Sequence, residues 1–94
     1  MSAAIFDPLI HAPNRLQICA LLAPTASLEF MTLREQLEVS DSVLSKHIKS
    51  LEDAGYVTVN KKASQGRQRT WLSLSPEGRA AFNGHVKALR EIVG

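Results

Sequence analysis

Cysteine is almost missing from this chain. Cys19 stands alone, so no intrachain disulfide can brace the fold, and a lone thiol fits a reducing cytoplasm. Long apolar runs are missing too: none approaches the roughly 20 residues needed to span a bilayer. Met1-Ser2-Ala3-Ala4-Ile5-Phe6-Asp7 puts no basic region ahead of an apolar stretch, so the start predicts no secretory leader. Glycine-rich phosphate loops are lacking, and the serines, histidines and aspartates sit in no nucleophile-elbow context. The sequence therefore predicts no enzyme. His11, Cys19, His47 and His85 lack the compact spacing of a zinc site, which usually takes four ligands. No cofactor or metal is called for, and a site shared between two subunits, His11 with His85, stays open.

What is present is enough for a core. Hydrophobic residues make up 45% of 94 residues, and a single domain over 1–94 of this size buries roughly 60–65% of its unfolded surface. Net charge is only +2, but it is segregated. Residues 1–41 carry two basic and five acidic side chains, residues 42–74 six basic against two acidic, and residues 75–94 three against two. The middle third is the basic one, as in a polyanion binder.

Within that third, Ser40 to Gly55 reads as a helix with both ends marked. Ser40 caps it, Asp41 complements its dipole, and Gly55 supplies the left-handed residue that stops it. At ~100° per residue Leu44, Ile48 and Leu51 share one stripe. The opposite stripe holds Ser42, Ser45, Lys46 and Lys49, short or basic side chains in the N-terminal two-thirds. That is how a helix must look if one face anchors in a core and the other enters a DNA major groove, and taken alone it is equally the pattern of a solvated amphipathic helix.

The neighbouring segments fit this reading. The first seven residues are expected to be a loose arm. A first helix is expected over 7–23, broken near His11 and Ala12, with Pro13 in the first turn of the second piece and Pro24 ending it. Its Arg15–Leu22 part is apolar around most of its circumference, so a second subunit is expected on one side. Leu28–Met31 is short and half-apolar and fits an edge strand of two or three residues. Thr32 and Glu35 match a capping box, and a brief helix turns at Glu38-Val39-Ser40 into the one described, giving a helix-turn-helix over 32–55. Tyr56–Lys62 and Thr70–Leu74 alternate as half-buried strands, with Gly66 at the tip of a hairpin over 56–74. Val57, Val59, Leu72 and Leu74 should face the helices and Trp71 the other side. Lys61, Lys62, Arg67 and Arg69 crowd the tip, and with no counter-charge there a phosphate backbone is their natural partner. Ser75 and Pro76 open a last helix over 75–93. Its stripe of Phe82, Val86, Leu89 and Val93, with Ile92 alongside, asks for a partner subunit. Gly78 and Gly84 would permit close approach by another helix.

Taken together these residues resemble a family. The order helix, strand, helix, helix, strand, strand, helix, mainly α with a small β-hairpin, is that of winged helix-turn-helix regulators. Leu44-Ser45-Lys46-His47-Ile48-Lys49-Ser50-Leu51-Glu52-Asp53-Ala54-Gly55-Tyr56-Val57 resembles the "LS-x-HL-x-x-LE-x-AGYV" stretch of MarR- and ArsR-type proteins. Leu74-Ser75-Pro76-Glu77-Gly78-Arg79 resembles the "LT-x-x-G-R" that opens their last helix. The resemblance implies a homodimer paired through first and last helices, with Leu16, Cys19, Phe82, Val86, Leu89 and Val93 at the interface. It implies double-stranded DNA as partner, met by Ser42, Val43, Ser45, Lys46 and Lys49 in the major groove. Lys61, Lys62, Gln65, Arg67 and Arg69 would form the wing, and Thr32 and Arg34 would touch the backbone. Many MarR-type wings carry an Asp-x-Arg motif, and Gln65-Gly66-Arg67 lacks its carboxylate.

The expected function is a cytoplasmic, nucleoid-associated prokaryotic transcription regulator, most simply a repressor. Its half-sites would lie about one helical turn (~34 Å) apart. Two alternatives remain at this point: a winged helix used for protein contacts, and a metal- or redox-sensing regulator.

Overall fold

The helix that ends at Gly55 is the clearest case of sequence chemistry becoming structure. In a computed structural model that describes residues 3–94, the elements are α1 (Pro8–His11), α2 (Arg15–Leu22), β1 (Leu28–Glu29), α3 (Phe30–Leu37), α4 (Asp41–Asp53), β2 (Val57–Ser64), β3 (Arg67–Leu74) and α5 (Pro76–Val93). Ser40 Oγ accepts the Val43 amide at 3.2 Å and so caps α4. At the other end Gly55 adopts φ +80°. Its N–H donates to Glu52 O and that of Tyr56 to Leu51 O, both at 2.9 Å, the paired bonds of a Schellman stop. Leu44, Ile48 and Leu51 are buried with Ile18, Leu22, Leu33 and Leu72 in one core.

α3 departs from the sequence reading. It begins at Phe30, not Thr32, and Glu29 is its cap residue without a side-chain cap bond. The Thr32–Glu35 capping box therefore does not form. A start at Phe30 puts Phe30, Leu33 and Leu37 on one stripe against the core, and that burial outweighs a cap. The strand before it is Leu28–Glu29, two residues as expected of a short edge strand. The first helix is two pieces separated by Ala12–Asn14, with Asn14 at φ +70° and its N–H held by the Gln17 side chain at 3.0 Å. Pro13 thus lies before the second piece rather than in its first turn.

The sheet is antiparallel in the order β1-β3-β2. Pairing runs from Val57 opposite Leu74 to Ser64 opposite Arg67, so the hairpin closes through Gln65-Gly66 alone. Both have positive φ, +52° and +77°, the signature of a type I′ turn. Gly66 is at the tip as expected, and the two-residue turn carries the strands beyond Lys62 and Thr70 to Ser64 and Arg67.

α5 starts on the Ser75 cap, whose Oγ accepts the Gly78 amide at 2.9 Å. The two glycines of this helix face the protein's own chain, correcting the expectation that another helix approaches there. A Cβ on Gly78 would lie 2.0 Å from Tyr56 O, and one on Gly84 2.7 Å from Ala3 O.

That second contact belongs to an anchored N-terminal arm, which the sequence reading expected to be loose; Met1 and Ser2 lie outside the described residues. Ile5 N–H donates to Gly84 O at 3.1 Å. Asp7 N–H donates to His85 Nδ1 at 2.9 Å, and His85 Nε2 sits 3.2 Å from His11 Nδ1. The Asp7 carboxylate caps α1 through Leu9 and Ile10 and accepts the Tyr56 hydroxyl at 2.7 Å. The Phe6 ring packs 4.8 Å from both imidazoles.

His85 is fully buried and accepts at Nδ1 from a backbone amide, so the neutral imidazole is the form that fits. Burial, and then the neighbouring His11, push its pKa below the ordinary 6.5, with the Asp7 carboxylate opposing. Unfolded chains then bind more protons than folded ones just below that value, and stability falls as pH drops through it, by at most about 1.4 kcal/mol per pH unit. His47, also lowered, adds in the same direction. Urea midpoints should fall between about pH 7.5 and 5.5, and fall less in His85→Asn, whose amide oxygen replaces Nδ1. Equal slopes in the two proteins would contradict this assignment.

Candidate nucleic-acid interface

The exposed side of α4 carries Ser42, Val43, Ser45, Lys46 and Lys49, opposite the buried stripe that fixes the helix in the core. Val43 is 40% exposed, a methyl-bearing contact among hydroxyls and ammonium groups. Lys46 makes no ion pair among the described residues. Lys49 is held by Asp53 one turn later at 3.0 Å. That hydrogen bond and charge raise its pKa, so it is a cation under all ordinary conditions. Acidic Glu52 and Asp53 lie at the far end of the helix.

His47 is half-buried against α2, with Nδ1 3.4 Å from an Arg15 guanidinium nitrogen. Burial, Arg15 and Lys46 all lower its pKa. It is a neutral packing group and adds no positive charge to this surface.

The two helices of the motif are joined by Arg34, whose Nε lies 3.1 Å from the Asp41 carboxylate. Arg34 is thereby committed to setting α3 against the first turn of α4. Thr32 is exposed on the same side as the hairpin, in a polar cleft of about 490 Å³ lined also by Glu35, Arg67, Gln68 and Arg69.

The hairpin register divides its cations. Side chains alternate across a strand, so Lys62, Arg67 and Arg69, with Trp71, share the outer face. Lys61 falls on the face of Val59 and Leu72, toward α4. Lys62 stands directly opposite Arg69, a like-charge pair that would destabilise the hairpin unaided. Two contacts relieve it. Lys62 Nζ lies 5.1 Å over the Trp71 ring, and one Arg69 guanidinium nitrogen lies 3.1 and 2.9 Å from the two carboxylate oxygens of Glu29. The sequence reading found no counter-charge for this cluster. Glu29 supplies one from 40 residues away, and only Arg67, Lys61 and Lys62, with Gln65 at the turn, remain open to a ligand.

On the far side, Phe82, Val86 and Leu89 are half-buried, Ile92 and Val93 are 66% and 79% exposed, and Leu16 packs partly against the core. Cys19 is different. It is wholly inside the protomer, and burial, with a smaller contribution from Asp7, raises its thiol to about 11. It has no surface to give a partner subunit, which corrects the interface assignment, and little thiolate to offer an oxidant. Among the described residues no three His, Cys, Asp or Glu side chains are grouped to hold a metal, and no helix is long and apolar enough to cross a membrane.

A helix-turn-helix whose second helix shows a hydroxyl- and lysine-bearing face, followed by a basic two-stranded ribbon, is the architecture of a winged-helix DNA-binding regulator. The chain belongs to the winged helix DNA-binding domain family, which residues 14–93 match. An uncharacterised protein of Methanocaldococcus jannaschii is 33% identical over 84 residues, covering 89% of this chain and 91% of its own. Among solved structures, a transcriptional regulator homologue from Pyrococcus horikoshii superposes with TM-score 0.85 at 25% identity over 90% of this chain and 84% of that one. The transcriptional regulator HlyU from Vibrio vulnificus does so with TM-score 0.67 at 30% identity, covering 92% and 81%.

Proposed function

We propose that this protein is a homodimeric, sequence-specific regulator of transcription of the MarR- or ArsR-like type. It would bind double-stranded DNA in a prokaryotic cytoplasm and act as a repressor by occupying its operator. The observation that supports this reading is that, among the described residues, Lys46 on the exposed face of α4 and Lys61, Lys62 and Arg67 on the ribbon packed beside it are held in no ion pair. In this reading Ser42, Val43, Ser45 and Lys46 meet base edges and Lys49 the adjoining backbone. Gln65 reaches the next groove, Lys61, Lys62 and Arg67 meet phosphates, and Thr32 touches the backbone beside them. Arg34 and Arg69, each already paired with a carboxylate, serve the interface indirectly. The apolar stripe of Phe82, Val86, Leu89, Ile92 and Val93, with Leu16, pairs two subunits so that their α4 helices address half-sites about 34 Å apart.

The test is binding to the DNA flanking the protein's own gene, by footprinting and by titration against salt. Eight cations per dimer, Lys49, Lys61, Lys62 and Arg67 from each subunit, give a slope of log K on log[salt] of about −7. A protected pseudo-palindrome with that slope supports the proposal. Binding indifferent to salt and sequence would leave the fold as a protein-contact module.

A further inference from the structure

The Glu29–Arg69 pair has a place in the fold that its strength alone does not explain. β1 covers β3 only as far as Trp71, which pairs with Glu29. Beyond that point β2 and β3 continue as an unflanked two-stranded ribbon to Gln65-Gly66, and such a ribbon is marginally ordered alone. Arg69 lies two residues out along this free part, on the face of Trp71, and reaches back to Glu29. Glu29 is also the cap residue that immediately precedes α3. Among the described residues this is the one side-chain hydrogen-bonded link between the ribbon and the segment that leads into the helix-turn-helix. The side chains are 29% and 17% exposed, and a half-desolvated ion pair adds little net stability. Its consequence is geometric.

We propose that Glu29 is a positioning residue for DNA binding: by holding Arg69 it fixes the ribbon at the angle from which Lys62, Gln65 and Arg67 meet the duplex. The proposal rests on the DNA-binding reading above. It also has a sign that long-range electrostatics cannot imitate. Removing a carboxylate from a surface that faces phosphates should tighten binding, and Glu29→Gln additionally frees a guanidinium. Positioning requires the opposite, because an ordered ribbon binds with less entropy to lose.

The experiment compares Glu29→Gln with Glu35→Gln, which removes the same charge from the same cleft and leaves Arg69 paired. Fluorescence anisotropy on the operator duplex should show Glu35→Gln unchanged or about twofold tighter and Glu29→Gln weaker by about tenfold, which is roughly 1.4 kcal/mol. A second readout needs no DNA. Trp71 is the single tryptophan, and its acrylamide quenching should increase in folded Glu29→Gln and not in Glu35→Gln. Equal or tighter binding by Glu29→Gln, or unchanged quenching, overturns the proposal. If the wild type binds no duplex, the DNA-binding reading itself has failed, and the quenching comparison still decides whether Glu29 orders the ribbon.

Discussion

Replacing Gly78 by alanine is expected to destabilise the protein by about 3 kcal/mol, at the upper end for an overpacked core position. The new Cβ would stand 2.0 Å from Tyr56 O, 2.7 Å from Tyr56 C and 2.9 Å from Tyr56 Cα. All three are backbone atoms, so no side chain can swing away. Nor can Tyr56 retreat. Its carbonyl accepts the Ser75 amide at 3.0 Å and its own amide is tied to Leu51 O at 2.9 Å, the bond that ends α4. Relief would require either parting α5 from the hairpin or unwinding the last turn of α4. Gly66→Ala is the control: nothing lies within 4 Å, but φ is +77°, so it should lose only the left-handed penalty of about 1 kcal/mol. Urea unfolding followed by far-ultraviolet dichroism distinguishes them, and a loss in Gly78→Ala no greater than in Gly66→Ala would show that the α5–Tyr56 contact is loose.

The second large effect concerns discrimination. Lys46→Ala should lower affinity for the operator by about 1–3 kcal/mol while changing binding to a scrambled duplex much less, since a groove contact reads bases. Arg67→Ala should weaken both duplexes by similar factors and make the salt slope shallower by about 2 per dimer, since a phosphate contact reads no sequence. Anisotropy titrations of both variants on both duplexes at fixed ionic strength check this. Identical profiles for the two variants would mean that α4 and the ribbon do not divide the work in this way.

The helix α4 could be read from the sequence because every signal that defines it is local. Ser40, Asp41, the Leu44–Ile48–Leu51 stripe and Gly55 lie within one segment, and the exposed face follows from the helical repeat. The Gln65-Gly66 turn was visible only in part. Gly66 marked a tip, but the ladder beside it depended on Gln65 accepting a left-handed φ of +52°, which glutamine seldom does. What the sequence concealed was every pairing across distance. Arg34 and Arg69 look like free cations until the fold places Asp41 and Glu29 beside them, and the arm looks free until His85, 78 residues along from Asp7, meets its backbone. Thr32 shows the converse. A correct local motif, the capping box, was overruled because starting the helix at Phe30 buried more apolar surface.

The claim on which the rest depends is that α4 and the ribbon form one continuous DNA-facing surface. Backbone amide chemical shifts recorded during titration with the operator duplex test it most directly. The expected result is a pair of perturbed segments, Ser42 to Lys49 and Lys61 to Arg67, shifting together with one affinity while the Phe82–Val93 face of α5 is unmoved. Shifts confined to one of these segments, or centred on α5, would contradict it.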